Sequence, residues 1–289
     1  MELLVNGLPG CVVTDDGEPT LSLQLQNTER FDAVRLVVTG PAGDRLWDTG
    51  MVPFESPHVR YGGAAIPPET VFTVNAAAYR QDEAVAECST AFETGFMGTQ
   101  WDAEWIEPEQ EPAVREKEVR LYDLFTPHDD DFGGQVRLRP CRELKKTFIC
   151  GGQPQKARLY ATAHGIYELW VNGQKVGRNL LAPETSSYRD RLYYQTYDVT
   201  KLLREGDNEI AVTLADGWWI GRIGLSGDSC QYGDRLGFLM QLEWTDEAGE
   251  THKICSDASF QSRRSHIDYA DLFIGELTIS WRHLRLGSR

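Results

Sequence analysis

The stretch YELWVNGQKVG, from Tyr167 to Gly177, is the clearest indication of the fold class. Every second residue from Tyr167 through Leu169 to Val171 is apolar, which predicts a β-strand with one buried face. Asn172-Gly173 follows, and this is the pair preferred in a type I′ turn, where both central residues take positive φ. The stretch therefore predicts a β-hairpin with a two-residue loop.

The length of the loop also predicts the register of the hairpin, because a two-residue turn leaves one possible pairing. The expected cross-strand pairs are Val171 with Gln174, Trp170 with Lys175, and Leu169 with Val176. Trp170 then lies on the face opposite to the core, and two interpretations are open for it. The Lys175 stem and ammonium can cover the indole in a cation–π contact, or the indole can serve as a platform for a sugar.

Composition limits the possible partners. The chain has 289 residues, 41% of them hydrophobic and 10% aromatic, which is enough to fill two cores. The net charge is −15 and the isoelectric point is about 4.9. Nucleic acids and anionic membranes need basic protein surfaces, so neither is an expected partner.

The cysteines and the first residues indicate the compartment. Six cysteines are scattered without CxxC spacing, which predicts reduced thiols rather than a disulfide framework or a zinc site. The start, MELLVNGLPG, lacks the basic and apolar segments of a signal peptide, and no window has the length of a membrane span. We therefore expect a cytoplasmic protein.

Short alternating segments separated by Gly and Pro continue along the chain and predict an all-β protein of two consecutive β-sandwiches. In VFTVNAAAY the alternation places Phe72, Val74, Ala76 and Ala78 on one face. We expect the first sandwich, of the fibronectin-III or immunoglobulin type, over residues 1–98, a proline-rich and charged linker over 99–138, and the second over 139–289. A turn or two of helix is expected only in DVTKLLREGDN, residues 198–208.

The sequence contains no clear motif for a catalytic nucleophile or a metal site. GLSGD at 224–228 lacks the strand-turn-helix context of a nucleophile elbow, and the six histidines never pair at metal-ligand spacing. The acidic cluster from Asp129 to Asp131 does not fit a calcium-binding loop. We therefore predict no catalytic residue, no metal and no cofactor.

One loop stands out as a candidate carbohydrate site. ADGWWIGRIG carries Asp216, Trp218, Trp219 and Arg222, and with Trp170 these are the candidates for sugar binding. Aromatic rings suit the CH-rich faces of pyranoses, while carboxylate and guanidinium groups suit the hydroxyls. In the alternative interpretation one tryptophan plugs the end of the sandwich and the other packs on the linker.

A long co-linear series of motifs resembles the N-terminal accessory region of bacterial α-L-rhamnosidases of glycoside hydrolase family 78. Motifs similar to the family's fibronectin-III-like module are LWDTG (46–50), VRYGG (59–63) and AFETG (91–95) in the first predicted domain, and WDAEWI (101–106) just after it. In the second, motifs similar to its jelly-roll, galactose-binding-like module are YEL (167–169), NG (172–173), VG (176–177), LAP (181–183), YQTYDVT (194–200) and GW (217–218).

The resemblance implies that catalysis takes place in another domain of the parent enzyme. Enzymes of this family remove terminal α-L-rhamnose by inverting hydrolysis, with two carboxylates inside a separate α/α barrel. The resemblance thus implies a non-catalytic fragment that packs against that barrel and is inactive alone. Two other classes stay open: a stand-alone carbohydrate-binding module that takes rhamnose-containing glycosides, and a protein-interaction scaffold.

Overall fold

Strands make up nearly all the regular structure of the protein. The structure, a computed structural model, describes residues 1–24, 31–98, 100–116, 138–223 and 228–279. The acidic cluster Asp129–Asp131, most of the predicted linker and residues 224–227 of the GLSGD motif lie outside these ranges. The described part contains one four-residue helix and no helix with the length and apolar character of a membrane span. The all-β prediction is confirmed.

The chain divides into two compact units, Met1–Gln100 and Trp101–Arg289. The first unit has nine strands in the described residues. They are β1 (Glu2–Val5), β2 (Val12–Thr14), β3 (Thr20–Gln24), β4 (Ala33–Thr39), β5 (Arg45–Asp48), β6 (Val52–Pro53), β7 (His58–Arg60), β8 (Val71–Arg80) and β9 (Glu83–Thr94).

Two sheets enclose the core of the first unit. One has the order β1-β3-β7 and the other β2-β9-β8-β4-β5, with β6 paired to β4. Buried side chains from both sheets, such as Leu21 of β3 and Val74 of β8, belong to one cluster. The alternation predicted in VFTVNAAAY is confirmed, because Phe72, Ala76 and Ala78 are buried with Val74.

The second unit has eleven strands and the helix in its described residues. They are β10 (Arg142–Cys150), β11 (Lys156–His164), β12 (Ile166–Val171), β13 (Gln174–Lys175), β14 (Gln195–Asp198), β15 (Gly206–Ala215), α1 (Gly217–Ile220), β16 (Gly237–Thr245), β17 (Thr251–Cys255), β18 (Gln261–Arg264), β19 (Ile267–Asp271) and β20 (Gly275–Thr278).

Two antiparallel sheets face each other in the second unit, in the orders β13-β12-β15-β10-β18 and β14-β11-β16-β17, and β19-β20 forms a separate hairpin. Leu169 and Val212 of the first sheet and Leu159 and Met240 of the second belong to one buried cluster. This arrangement confirms a second β-sandwich, whose interior comes from strands that alternate apolar and polar residues.

The hairpin of β12 and β13 has the predicted register. Trp170 pairs with Lys175 and Val171 with Gln174, and the Val176 amide donates to the Leu169 carbonyl. The turn residues Asn172 and Gly173 have φ of +52° and +76°, as a type I′ turn requires.

The helical segment expected between Asp198 and Asn208 is no more than a single hydrogen-bonded turn. In it the Leu202 and Leu203 amides both donate to the Val199 carbonyl. Asn208 explains why the turn stops, because its side chain accepts from the Arg204 amide and donates to the Arg204 carbonyl. The short helix α1 instead follows β15, where the sequence predicts a loop.

Residues 101–116, which the sequence assigns to the linker, pack against the second sandwich. Ile106 forms a two-bond bridge with Phe238 at the start of β16, and the Asp102 amide donates to the Gln241 side chain. Because these residues cover β16, Leu239 and Gln241 on its outer face are buried as well. This packing brings Trp105 onto the second sandwich.

Candidate functional site

The predicted ADGWWIG loop begins with a tight turn that only glycine fits. Gly217 has a φ of +53°, and a Cβ atom there would lie 2.5 Å from Cγ2 of Ile166. The turn ends β15 and starts α1, which carries Trp218 and Trp219, both half-buried. Gly217 therefore fixes where α1 begins, and with it the positions of Trp218 and Trp219.

Asp216 is engaged in an ion pair. Its Oδ1 accepts hydrogen bonds from Nε and Nη2 of Arg139 at 3.0 and 2.9 Å, and both side chains are largely buried. Burial raises the pKa of the Asp216 carboxyl, and the nearby Arg139 charge opposes that shift. The carboxylate thus serves a salt bridge within the fold.

Arg222 is engaged in the same way, with two carboxylates. Its Nε donates to Oε2 of Glu116 at 2.9 Å, its Nη2 donates to Oε1 of the same residue, and its Nη1 donates to Oδ2 of Asp271 at 2.9 Å. Arg222 and Glu116 are both buried. The guanidinium therefore joins three chain segments that are far apart in sequence.

Asp271 shows how the fold tolerates this burial. Burial disfavours its charged form, but hydrogen bonds from the backbone amides of Phe273, Arg222 and Ile274 and from the Arg222 guanidinium outweigh it and lower the pKa of the Asp271 carboxyl. A negative charge is thus maintained beside the buried arginine.

Trp219 belongs to a different group, a stack of three rings that we call the aromatic column. Its members are Trp105, His164 and Trp219. The centroids of the Trp105 and His164 rings lie 4.0 Å apart with 7° between their planes. His164 and Trp219 are 4.1 Å apart with 9° between the planes. The imidazole is therefore held between two indoles.

Two tyrosines and one glycine complete the surroundings of Trp219. Tyr188 packs edge-on against the indole at 5.3 Å and against Tyr232 at 4.9 Å. Gly233 passes so close that a Cβ atom would lie 2.3 Å from Nε1 of Trp219. Trp219 is consequently enclosed on several sides, whereas Trp105 at the other end of the column remains 43% exposed.

The column favours a neutral His164. Burial between the indoles lowers the pKa of the imidazole, and the Glu107 carboxylate opposes this shift only in part. A neutral imidazole stacks on both indoles without the cost of burying a charge.

A groove of about 370 Å³ lies beside the exposed end of the column. Its walls include Trp105 and Phe260 as aromatic residues and Glu104, Glu107 and Asp257 as acidic residues. The Glu104 amide donates to the Ser256 carbonyl at 2.9 Å, and the Ser256 hydroxyl donates to the Glu104 carbonyl at 2.6 Å. These bonds attach the two sides of the groove to each other.

The structure places the five sequence candidates in different surroundings. Asp216 and Arg222 lie in the ion-pair network, Trp219 lies in the aromatic column, and Trp218 is half-buried on α1. Trp170 is half-buried on the outer face of β12, where the ammonium of its neighbour Lys175 contacts the Glu168 carboxylate.

Sequence reasoning missed Trp105 as a site residue. Its only signal is the aromatic content of WDAEWI just before the charged, proline-rich segment. That composition led to a linker assignment, and nothing local shows that the indole reaches His164.

Within the described residues, one group could offer ligands to a metal ion: Asp246, Glu250 and His252. The Asp246 carboxylate already accepts hydrogen bonds from the amides of Ala248 and Glu250 and contacts Nε2 of His252 at 2.7 Å. These bonds show that the Asp246 carboxylate stabilises the turn between β16 and β17.

Two family models match the chain in tandem. Residues 1–98 match the Rha78A-like N-terminal immunoglobulin domain, and residues 152–280 match the α-L-rhamnosidase N-terminal domain.

Curated relatives and a solved structure agree with this match. An α-L-rhamnosidase of Streptomyces avermitilis is 46% identical over 185 residues, which are 61% of this chain and 18% of the relative. One of Formosa agariphila is 28% identical over 276 residues, or 90% of this chain and 28% of the relative. The structure of native α-L-rhamnosidase from Aspergillus terreus superposes with a TM-score of 0.78 at 26% identity, covering 96% of this chain and 30% of that one.

The chain therefore spans less than a third of the length of these relatives. It corresponds to the N-terminal region of α-L-rhamnosidases, as the motif series predicts.

Proposed function

We propose that this chain, with its two rhamnosidase-type N-terminal domains, is the non-catalytic part of an enzyme that hydrolyses terminal α-L-rhamnose from glycosides. Its partner is then the catalytic domain of the parent enzyme, which the two β units support. The observation that carries the proposal is the tandem match of the two domain models over 1–98 and 152–280, in one chain whose fold covers 30% of a solved rhamnosidase.

The environment of three carboxylates beside Arg139 and Arg222 agrees with a non-catalytic role. Inverting hydrolysis needs one carboxylic acid that protonates the leaving oxygen and one carboxylate that activates water. Glu116, Asp216 and Asp271, whose side chains are largely buried, instead neutralise Arg222 and Arg139. Their oxygens accept hydrogen bonds from guanidinium groups, so these acids are poorly placed to exchange a proton with a substrate.

The test compares the chain alone with a chimaera. In the chimaera this chain replaces the corresponding region of the Streptomyces avermitilis relative, and a truncated relative without that region is the control. We expect the chimaera to release nitrophenol from 4-nitrophenyl α-L-rhamnopyranoside, and the chain alone to show only the background rate. Turnover by the chain alone at an ordinary enzymatic rate, on the order of 1–1,000 s⁻¹, would contradict the proposal.

The two alternative functions receive different support. The protein-interaction scaffold rests only on the acidic composition. Carbohydrate binding through Asp216 and Arg222 loses support because both side chains are engaged in ion pairs.

We also propose a cytoplasmic location. All six cysteines carry thiols, two of them buried, which fits a reducing compartment. Fractionation of cells that express the tagged parent enzyme tests this, and recovery in the secreted fraction would contradict it.

A further inference from the structure

We propose that the hairpin of β19 and β20 is the surface on which the second unit packs against the polypeptide that follows it in the parent enzyme. This inference rests on the proposed function and deepens it, because it names the part of the chain that makes the contact. Four apolar side chains form this surface, which we call the hairpin surface: Phe273, Ile274, Leu277 and Ile279.

The first support is the exposure of these four side chains, which lie within residues 273–279. Phe273 is 64% exposed and Leu277 is 47% exposed, and the two isoleucines are exposed as well. Apolar side chains that are exposed singly are common on protein surfaces, whereas a group of them marks a contact site. A partner that covers the hairpin surface would remove this apolar area from water and gain stability.

The second support is the backbone edge of β20. Within the described part of the chain β20 pairs only with β19, for example through Leu277 with Tyr269. All four residues of β20 are exposed, and Glu276 is the only charged one among them. An exposed edge strand is a template for pairing with another chain, and proteins usually cover it or protect it with charges. We therefore expect this edge to be covered in the parent enzyme.

The third support is that the hairpin has a fixed shape before any partner binds. Oδ1 of Asp271 accepts hydrogen bonds from the Phe273 and Ile274 amides at 2.9 and 3.1 Å. The other oxygen of that carboxylate accepts from a buried guanidinium. At the far end of the hairpin the Ile279 amide donates to the His266 carbonyl at 2.9 Å. A fixed turn loses little conformational entropy when a partner packs on it.

The comparisons with relatives indicate which partner fits. The match to the α-L-rhamnosidase N-terminal domain extends to residue 280, so the hairpin lies at the end of that domain. This chain covers 30% of the Aspergillus terreus enzyme, so most of that enzyme lies outside the matched part. A segment that follows the hairpin directly needs only a short loop to reach the hairpin surface, and a short loop costs little closure entropy.

Charge disfavours two other occupants. The net charge is −15, so a second copy of this chain would be repelled, and an anionic membrane would be repelled in the same way. The following part of the same polypeptide is held nearby at a high effective concentration. It therefore occupies the hairpin surface without a separate association step.

The test measures hydrogen–deuterium exchange, by mass spectrometry, in the full chain alone and in the chimaera with the Streptomyces avermitilis relative. Peptides that cover residues 267–279 report on the hairpin. We expect the amides of β20 to exchange at least about tenfold more slowly in the chimaera, because the covering polypeptide shields them from water. Peptides from the central strand β15 should exchange equally in both proteins and serve as the internal control.

A pair of matched variants tests the side chains. Leu277→Ser in the chain alone should shift the Tm by no more than about 2 °C, because the leucine is exposed there. In the chimaera the same change should reduce the protection of β20 by at least about threefold. Leu8→Ser replaces a leucine of the first unit that is 56% exposed, and it should leave the exchange of β20 unchanged in both proteins.

The outcomes separate this inference from the proposed function. An active chimaera in which β20 exchanges as fast as in the chain alone would overturn the inference and leave the proposed function standing. An inactive chimaera would contradict the proposed function, and the exchange of β20 would still decide the role of the hairpin. Equal loss of protection in Leu8→Ser and Leu277→Ser would also overturn the inference. So would a dimer of the chain alone that dissociates in Leu277→Ser, because the occupant would then be a second copy.

Discussion

His164 lies parallel to Trp219, with 4.1 Å between ring centroids and 9° between ring planes. The histidine belongs to β11 and the tryptophan to α1, so the contact joins a strand of one sheet to the element that follows a strand of the other. Since Trp105 covers the other face of His164, the imidazole is shielded from water on both faces.

This shielding predicts that stability falls on acidification. Burial lowers the pKa of folded His164, while the unfolded chain keeps a pKa of about 6.5. Above that value both states are neutral and the stabilisation is complete. As the pH falls below about 6.5 the unfolded state binds the proton first, and stability is lost until the pH reaches the folded pKa.

The measurement is urea unfolding at about pH 7.5 and about pH 5.5, for the wild type and for His164→Phe, which keeps a ring in the column but cannot titrate. The wild type should lose more stability between the two values than the variant does. An NMR titration that placed the pKa of His164 at about 6.5 or above would contradict the prediction.

Arg222→Ala should be strongly destabilising. It removes the guanidinium that pairs with the Glu116 and Asp271 carboxylates, and breaking a buried ion pair costs about 3–5 kcal/mol of unfolding free energy. Arg263→Ala is the control, because Arg263 pairs with Glu143 at the surface with 75% of its side chain exposed. An exposed pair contributes about 0–1 kcal/mol. Equal urea midpoints for the two variants would refute the structural role of Arg222.

Gly173→Ala should destabilise the hairpin of β12 and β13 through its backbone alone. Gly173 has a φ of +76°, and a Cβ atom added there would have no neighbour within 4 Å, so the cost is conformational, about 1–2 kcal/mol. Gly151→Ala is a matched substitution, since that site is equally open and lacks a positive φ. We expect Gly151→Ala to be neutral or slightly stabilising in thermal unfolding. A loss of the same size in both variants would show that φ is not the cause.

The cysteines should react with a thiol reagent at very different rates. Burial raises the pKa of Cys141 to about 12 and that of Cys150 to about 11, so both remain protonated thiols at about pH 8, whereas Cys11 is exposed. With Ellman's reagent, Cys11 should react first in the native protein, and all six thiols should react in urea. Rapid native modification of Cys141, located by mass spectrometry, would contradict this burial.

Features that depend on neighbours along the chain were predictable from the amino-acid sequence alone. The alternation in β8 and β12 shows which face of each strand is buried, because successive side chains point to opposite sides. Asn172-Gly173 specifies the turn and thereby the register of Trp170 with Lys175. The order of the motifs was also sufficient to relate the chain to rhamnosidases, since it depends on the sequence and not on contacts.

The roles of the candidate residues depend instead on the three-dimensional packing. Asp216 and Arg222 are close in the sequence, but their partners Arg139, Glu116 and Asp271 come from segments that no local pattern connects to them. Trp105 reaches His164 because its segment packs along β16, a contact between residues 59 positions apart (164 − 105). Charge and ring contacts act through space, so their pairing depends on how the sheets and the covering segment meet.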